Sequence, residues 1–187
     1  MPSEPAYPVT SRIKSLIRMV PDFPSPGIRF RDVMGLVEDP EGLEEATETL
    51  TRRFAPEAPD AVAGIDARGF IFGVPVAQRL GVGFVPVRKA GKLPGEVVGV
   101  DYALEYGTGR LEMQTGSIRE GMRVLLIDDL VATGGSAAAA IELIRGMKGE
   151  IVGAGFVVEL PELPGRKRLE ALDVEVFALC TFFDADP

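Results

Sequence analysis

VLLIDDLVATGGS, from Val124 to Ser136, is an apolar run that meets two adjacent carboxylates, Asp128 and Asp129. A short loop of small and hydroxylated residues follows: Ala132, Thr133, Gly134, Gly135 and Ser136. An alanine-rich helical pattern then begins, with Ala137 to Ala140 in its first turn. A strand–loop–helix unit of this kind offers a phosphate the backbone N–H groups and positive end of a helix, while the carboxylates face a neighbouring polyol. Such a unit is a seat for a ribose 5-phosphate. Two other phosphate loops do not fit, because the stretch has neither the GK[ST] of a Walker loop nor a GxGxxG opening the helix. A glycine pair can also be a plain tight turn, and an Asp–Asp pair a solvated strand end. Their adjacency, and the absence of bulk at the helix mouth, favour a use in binding ribose hydroxyls and stabilising positive charge on C1.

Working outward, strands alternate with helices. Ala61 to Ile65 reads as a strand, GIDARG leads into a helix ending near Leu80, and GVGFVPV (Gly81 to Val87) is the next strand. Val124 to Ile127 is a buried strand, followed by a helix from about Ser136 to Met147. A strand from Ile151 to Leu160, a short helix from Leu163 to Leu172 and a last strand from Val174 to Phe182 complete the pattern. Upstream, Val9, Ile13, Leu16, Ile17 and Val20 recur at helical spacing, with Thr10 or Ser11 as cap. PDFPSPGI, Pro21 to Ile28, is a loop by its three prolines and glycine. Asp39 caps a helix that has Pro40 at its first position and runs to about Phe54. The stretch from Arg88 to about Tyr102 is rich in glycine and charge with little apolar periodicity. Ala103 to Gln114 reads as an antiparallel ribbon turning at Gly107 to Gly109.

This order predicts an α/β fold with a central, mostly parallel sheet flanked by helices. Ligands bind such sheets beyond the carboxyl ends of the strands, so the loops after Ile65, Val87 and Ile127 are expected to converge on one site.

The totals are consistent with a single domain over residues 1–187. A formal charge of −8 argues against a protein that coats nucleic acid or an anionic membrane. The sequence has no histidine, which excludes Ser–His triads and imidazole acid–base chemistry, and a single cysteine, Cys180, which reads as a core thiol. The N-terminus lacks a signal-peptide pattern, and no apolar stretch approaches the ~20 residues that cross a bilayer. A reducing, cytoplasmic setting is the expectation.

VLLIDDLVATGGS resembles the phosphoribosyl-pyrophosphate signature of the type I phosphoribosyltransferases. DFPSPGIRFRD (Asp22 to Asp32), GIDARGFIFG (Gly64 to Gly73), VRKAGKLPGE (Val87 to Glu96) and LEYG (Leu104 to Gly107) resemble the adenine phosphoribosyltransferase family, in the same order and spacing. The likeness extends from about Asp22 to about Leu172. It implies conversion of adenine and phosphoribosyl pyrophosphate to AMP and pyrophosphate with Mg²⁺. It also implies that Ala132 to Ser136 hold the 5′-phosphate and that Asp128 and Asp129 face the ribose hydroxyls. Arg68 would contact pyrophosphate, beside a cis peptide between Asp66 and Ala67. The Ala67 position often carries another residue in the family, but the contact there is through backbone. No direct metal ligand is expected: the ion would ride in with pyrophosphate, touching Asp128 and Asp129 mainly through water.

The family holds adenine largely by main-chain atoms, here around Arg31, with Phe30 and Leu130 sandwiching the ring. From the residues alone, Phe30 is equally a core side chain and Arg31 equally a surface ion-pair partner of Asp32. Arg88, Lys89 and Lys92 form a cationic cluster on a glycine-rich stretch, either a solvated face or a loop that closes over a polyphosphate. The resemblance implies a homodimer in which Arg88 reaches the neighbouring site, and a base-binding hood from residues of about 1–35 and 88–115. It also makes Glu105 the acid–base residue, which the sequence alone would read as an ordinary exposed glutamate. Closure over the site would raise its pKa toward neutrality. Tyr106 either packs over the closed site or is a plain ribbon side chain. Two alternatives stand beside this one: transfer to another purine, and a non-catalytic phosphoribosyl-pyrophosphate sensor on the same fold.

Overall fold

A computed structural model describes residues 11–103, 107–184 and 186. Among these, seven strands form one sheet in the order β5-β6-β4-β3-β7-β8-β9. The strands are β3 (Ala61–Ile65), β4 (Gly83–Lys89), β5 (Val97–Ala103), β6 (Thr108–Gln114), β7 (Arg123–Val131), β8 (Glu150–Glu159) and β9 (Val176–Thr181). From β4 to β9 neighbours run parallel, whereas β5 and β6 add antiparallel at the β4 edge. The expected α/β class is thus the observed one.

Alternation along β7 splits the core into two layers. Val124 and Leu126 point toward α5 (Gly135–Gly146), with Ala140, Ile141, Ile144 and Phe156. Leu125 and Ile127 point the other way, toward α3 (Pro40–Phe54) and α4 (Arg68–Leu80), with Leu50, Phe72 and Val76. Each such buried side chain contributes roughly 1.5–3 kcal/mol of hydrophobic stabilisation. The α3 helix starts as its sequence predicts: the Asp39 carboxylate accepts from the Gly42 N–H at 2.7 Å, with Pro40 at the first position. Cys180 is a buried thiol in β9.

Two expectations need correction. The helical pattern beginning near Val9 does not continue to Val20: α1 spans Ser11–Leu16, and Val9 and Thr10 lie outside the described residues. Arg18–Pro21 instead forms β1, antiparallel to β2 (Arg29–Asp32), with Arg18 opposite Asp32 and Pro21 opposite Arg29. Tertiary pairing overrides the helical spacing there, and the Asp22 carboxylate accepting from the Gly27 N–H at 2.7 Å closes the loop between the strands. Between β2 and α3 lies a short helix, α2 (Met34–Glu38).

The second correction concerns residues 88–102, which are not simply loop. β5 occupies Val97–Ala103 and pairs with β6 from Val97 opposite Gln114 to Ala103 opposite Thr108. Val98, Val100 and Tyr102 alternate onto the α5 layer, a pattern diluted in the sequence by Gly95 and Gly99. The last helix, α6, is shorter than read, at Gly165–Glu170. No helix among the described residues is long and apolar enough to cross a membrane.

Candidate active site

The chain leaves β3 through α4 to reach β4 on one side, and leaves β7 through α5 to reach β8 on the other. Strand order therefore reverses between β3 and β7, and the crevice at their carboxyl ends is where open α/β sheets bind ligands. The two strands stop at different heights. Pairing of β3 with β7 ends at Gly64 opposite Ile127, but β7 stays paired to β8 as far as Val131 opposite Glu159. Asp128 and Asp129 are thus inside the strand rather than after it, on a stretch with no β3 partner. They border a cleft of about 480 Å³.

The loop after β7 forms one wall of the cleft. Gly134 has φ of +73°, and a Cβ there would also lie 3.0 Å from the Gly165 Cα and carbonyl oxygen, so only glycine fits. No side chain caps α5 at Gly134. The first helical N–H groups have no intrahelical acceptor, and here they face the cleft beside the Thr133 and Ser136 side chains. Small buried residues behind them, Ala137, Ala139 and Ala140, leave the helix mouth open. Ala132, Thr133, Gly134, Gly135 and Ser136 all line the cleft.

The turn after β3 supplies the opposite wall. Asp66, Ala67 and Arg68 line the cleft, and the Asp66–Ala67 peptide is cis. The Arg68 guanidinium pairs with the Asp129 carboxylate across the crevice. Burial works against the Arg68 charge, but Asp129, helped by Asp128 and Asp32, more than offsets it and holds the guanidinium pKa above its ordinary value. Asp128 behaves differently. Burial, then the neighbouring Asp129 charge, push its carboxyl well above the usual carboxylate range. The paired acids are therefore unlike: Asp129 is paired with an arginine, whereas burial and the Asp129 charge raise the Asp128 carboxyl pKa.

Lys89 and Leu130 also line the cleft. Arg88 turns back on its own chain, donating to the Asp66 carboxylate at 3.0 Å and the Lys92 carbonyl at 2.9 Å. Lys92 is exposed and not part of the wall. The Phe30 ring stands 5.5 Å from the Arg68 guanidinium and meets Phe23 edge-on at 5.1 Å. Its strand neighbour Arg31 leaves on the other face of β2, as alternation requires. The Arg31 guanidinium is buried over the Phe182 ring at 4.4 Å and donates to the Asp186 carbonyl at 2.9 Å. Asp32 instead accepts from the Met34 N–H at 3.0 Å. Glu105 and Tyr106 lie outside the described residues. Tyr102 lines the cleft without having been singled out from the sequence; its place in the β5 alternation was the available signal.

Among the described residues no three acidic, histidine or cysteine side chains gather to hold a metal.

Comparison with known proteins agrees with this geometry. Residues 38–183 match the model of the phosphoribosyl transferase domain. An adenine phosphoribosyltransferase of Parvibaculum lavamentivorans is 54% identical over 170 residues, which cover 91% of this chain and 97% of that protein. The adenine phosphoribosyltransferase structure from Thermoanaerobacter pseudethanolicus superposes with a TM-score of 0.88 at 43% identity, covering 91% of this chain and 98% of that one. That from Saccharomyces cerevisiae, complexed with an imino-altritol bisphosphate and adenine, gives 0.85 at 39% identity, with 90% and 97% covered. With an uncapped helix mouth and paired acids at the reversal of strand order, and with likeness along nearly its whole length, the chain belongs to the adenine phosphoribosyltransferase family.

Proposed function

We propose that this chain transfers the 5-phosphoribosyl group from phosphoribosyl pyrophosphate to adenine, giving AMP and pyrophosphate, a purine salvage reaction. The observation that carries the reading is the uncapped mouth of α5 beside Asp128 and Asp129, in a chain 54% identical to an adenine phosphoribosyltransferase. The complex of the yeast relative with adenine supports the choice of base.

In this reading the amides of residues 132–136 hold the 5′-phosphate, and the two carboxylates face the ribose hydroxyls. As the bond from C1 to pyrophosphate breaks, positive charge grows on the sugar and negative charge on the leaving group. Asp128 and Asp129 answer the first, Arg68 and Lys89 the second, and Arg88 and Lys92 add charge from the loop that follows β4. Mg²⁺, when bound with the pyrophosphate near Asp128 and Asp129, would supply further neutralisation of the leaving group. Adenine lies between Phe30 and Leu130 and is read by the β2 main chain, since the Arg31 side chain is committed to the opposite face. N9 bonds to C1, and Glu105 takes the proton that the base sheds.

A homodimer belongs to the same proposal. Arg88 would exchange its present contacts with Asp66 and the Lys92 carbonyl for the partner's cleft. Size-exclusion chromatography with light scattering gives the assembly. Incubation with labelled adenine, phosphoribosyl pyrophosphate and Mg²⁺ tests the activity, with hypoxanthine and guanine in parallel. AMP from adenine, with little product from the other bases, is the expected result. Tight binding of phosphoribosyl pyrophosphate without any nucleotide product would make the chain a sensor instead.

A further inference from the structure

α6 sits directly on the loop between β7 and α5, and two glycines permit the contact. The Gly165 N–H donates to the Ala132 carbonyl at 2.8 Å, and a Cβ on Gly165 would stand only 2.4 Å from that same oxygen. Gly134 presses on Gly165 from the other side. The consequence lies one turn further along α6. There the Arg168 side chain overhangs Gly135: a Cβ on Gly135 would lie 3.5 Å from the Ala103 carbonyl oxygen, 3.7 Å from the Arg168 Nη1 and 3.8 Å from the Thr133 hydroxyl.

The surrounding arginines have partners. Arg166 pairs with Glu159 at 2.5 Å and donates to the Val176 carbonyl at 2.8 Å, and Arg145 donates to the Leu172 carbonyl at 2.7 Å. Arg168 is exposed, and among the described residues its guanidinium makes no hydrogen bond or ion pair. The loop it overhangs offers amides and hydroxyls but no charge, whereas a phosphate monoester brings roughly −1.5 to −2. The cations that line the cleft stand on β4 and at the start of α4, where Arg68 is already paired, whereas Arg168 stands just outside the cleft wall and borders the groove along α5.

We propose that Arg168 is a further substrate-binding residue, whose guanidinium closes on the 5′-phosphate held by residues 132–136. The inference rests on the proposed use of that loop. A planar fork of donors fits two phosphate oxygens at once, which a lysine cannot reproduce.

The test uses the full chain and the variants Arg168→Ala, Arg168→Lys and, as control on the same exposed turn, Lys167→Ala. Calorimetry gives Kd for ribose 5-phosphate and for ribose; steady-state kinetics give KM for phosphoribosyl pyrophosphate and for adenine. Arg168→Ala is expected to weaken ribose 5-phosphate binding and raise KM for phosphoribosyl pyrophosphate by roughly 10- to 100-fold, the loss of a charge-assisted contact. KM for adenine and kcat should hold within roughly 2-fold, as for loss of uniform binding. Arg168→Lys should recover part of the loss, Lys167→Ala should match wild type, and the salt dependence of ribose 5-phosphate binding should flatten in Arg168→Ala. Wild-type Kd, KM and salt dependence in Arg168→Ala would overturn the assignment while leaving the loop's role standing. If the wild-type chain itself failed to bind ribose 5-phosphate any better than ribose, the loop reading and the Arg168 assignment would fall together.

Discussion

Gly165→Ala probes the contact that seats α6 on the phosphate loop. The added Cβ would lie 2.4 Å from the Ala132 carbonyl oxygen and 2.7 Å from Val131 Cγ2, where ordinary contact begins at 3.4 Å. One of the closest obstacles is backbone, so no rotamer change relieves it, and α6 must part from the loop by about 1 Å. Overpacking of this kind costs about 1–3 kcal/mol, offset in part by the helix-propensity advantage of alanine over glycine of up to about 1 kcal/mol. A net loss of ~1–2 kcal/mol follows. If this loop holds the 5′-phosphate as proposed, misplacing it by about 1 Å costs on the order of 10²-fold in kcat/KM for phosphoribosyl pyrophosphate. Urea unfolding followed by far-ultraviolet circular dichroism reads the first quantity, because the chain has no tryptophan, and steady-state kinetics read the second. Gly146→Ala is the matched control: it is exposed at the end of α5, and its added Cβ would meet nothing within 4 Å. If Gly165→Ala unfolded at the same urea concentration as Gly146→Ala and kept wild-type KM values, α6 would not be what holds the loop.

The proposed role of Glu105 makes its own prediction: Glu105→Gln should lower kcat by ~10²–10⁴-fold with smaller changes in KM, and near-wild-type turnover would remove Glu105 from proton transfer. Asp128 carries a raised native pKa, so its neutral form is the one that folding favours. That stability is fully present below the unfolded aspartate pKa of about 3.9 and is lost as pH rises through the native value. Asp128→Asn, which keeps an oxygen for the Asp129 N–H, should therefore gain stability relative to wild type as pH climbs. Parallel denaturation curves for the two proteins from acid to neutral pH would contradict this. Phe54 is fully buried, its ring covering Gly153 and Gly155 of β8, so Phe54→Ala should cost ~3–5 kcal/mol in urea unfolding.

The central unit of the fold was legible before any coordinates, because its signals are local. The apolar run of β7, the small residues after it and the alanines of α5 lie within one short window, and each states its own backbone preference. The same holds for the Asp39–Pro40 start of α3. Residues 18–21 and 97–103 carry no such local signal, because their strands exist only through distant partners: β1 needs β2, and β5 needs β6 and the apolar face of α5. Tyr102 reaches the cleft only through that pairing.

Residue types and their spacing along the chain determined that a helix mouth of small residues and two acids stand together at the end of a strand. Tertiary structure alone decided that Arg68 neutralises Asp129 and not Asp128, that Arg31 turns from the cleft toward Phe182, and that Arg168 overhangs Gly135. Those pairings join residues as far as 151 positions apart, as for Arg31 and Phe182. Their geometry depends on how layers pack and where neighbouring strands stop, which no periodicity within a single segment encodes.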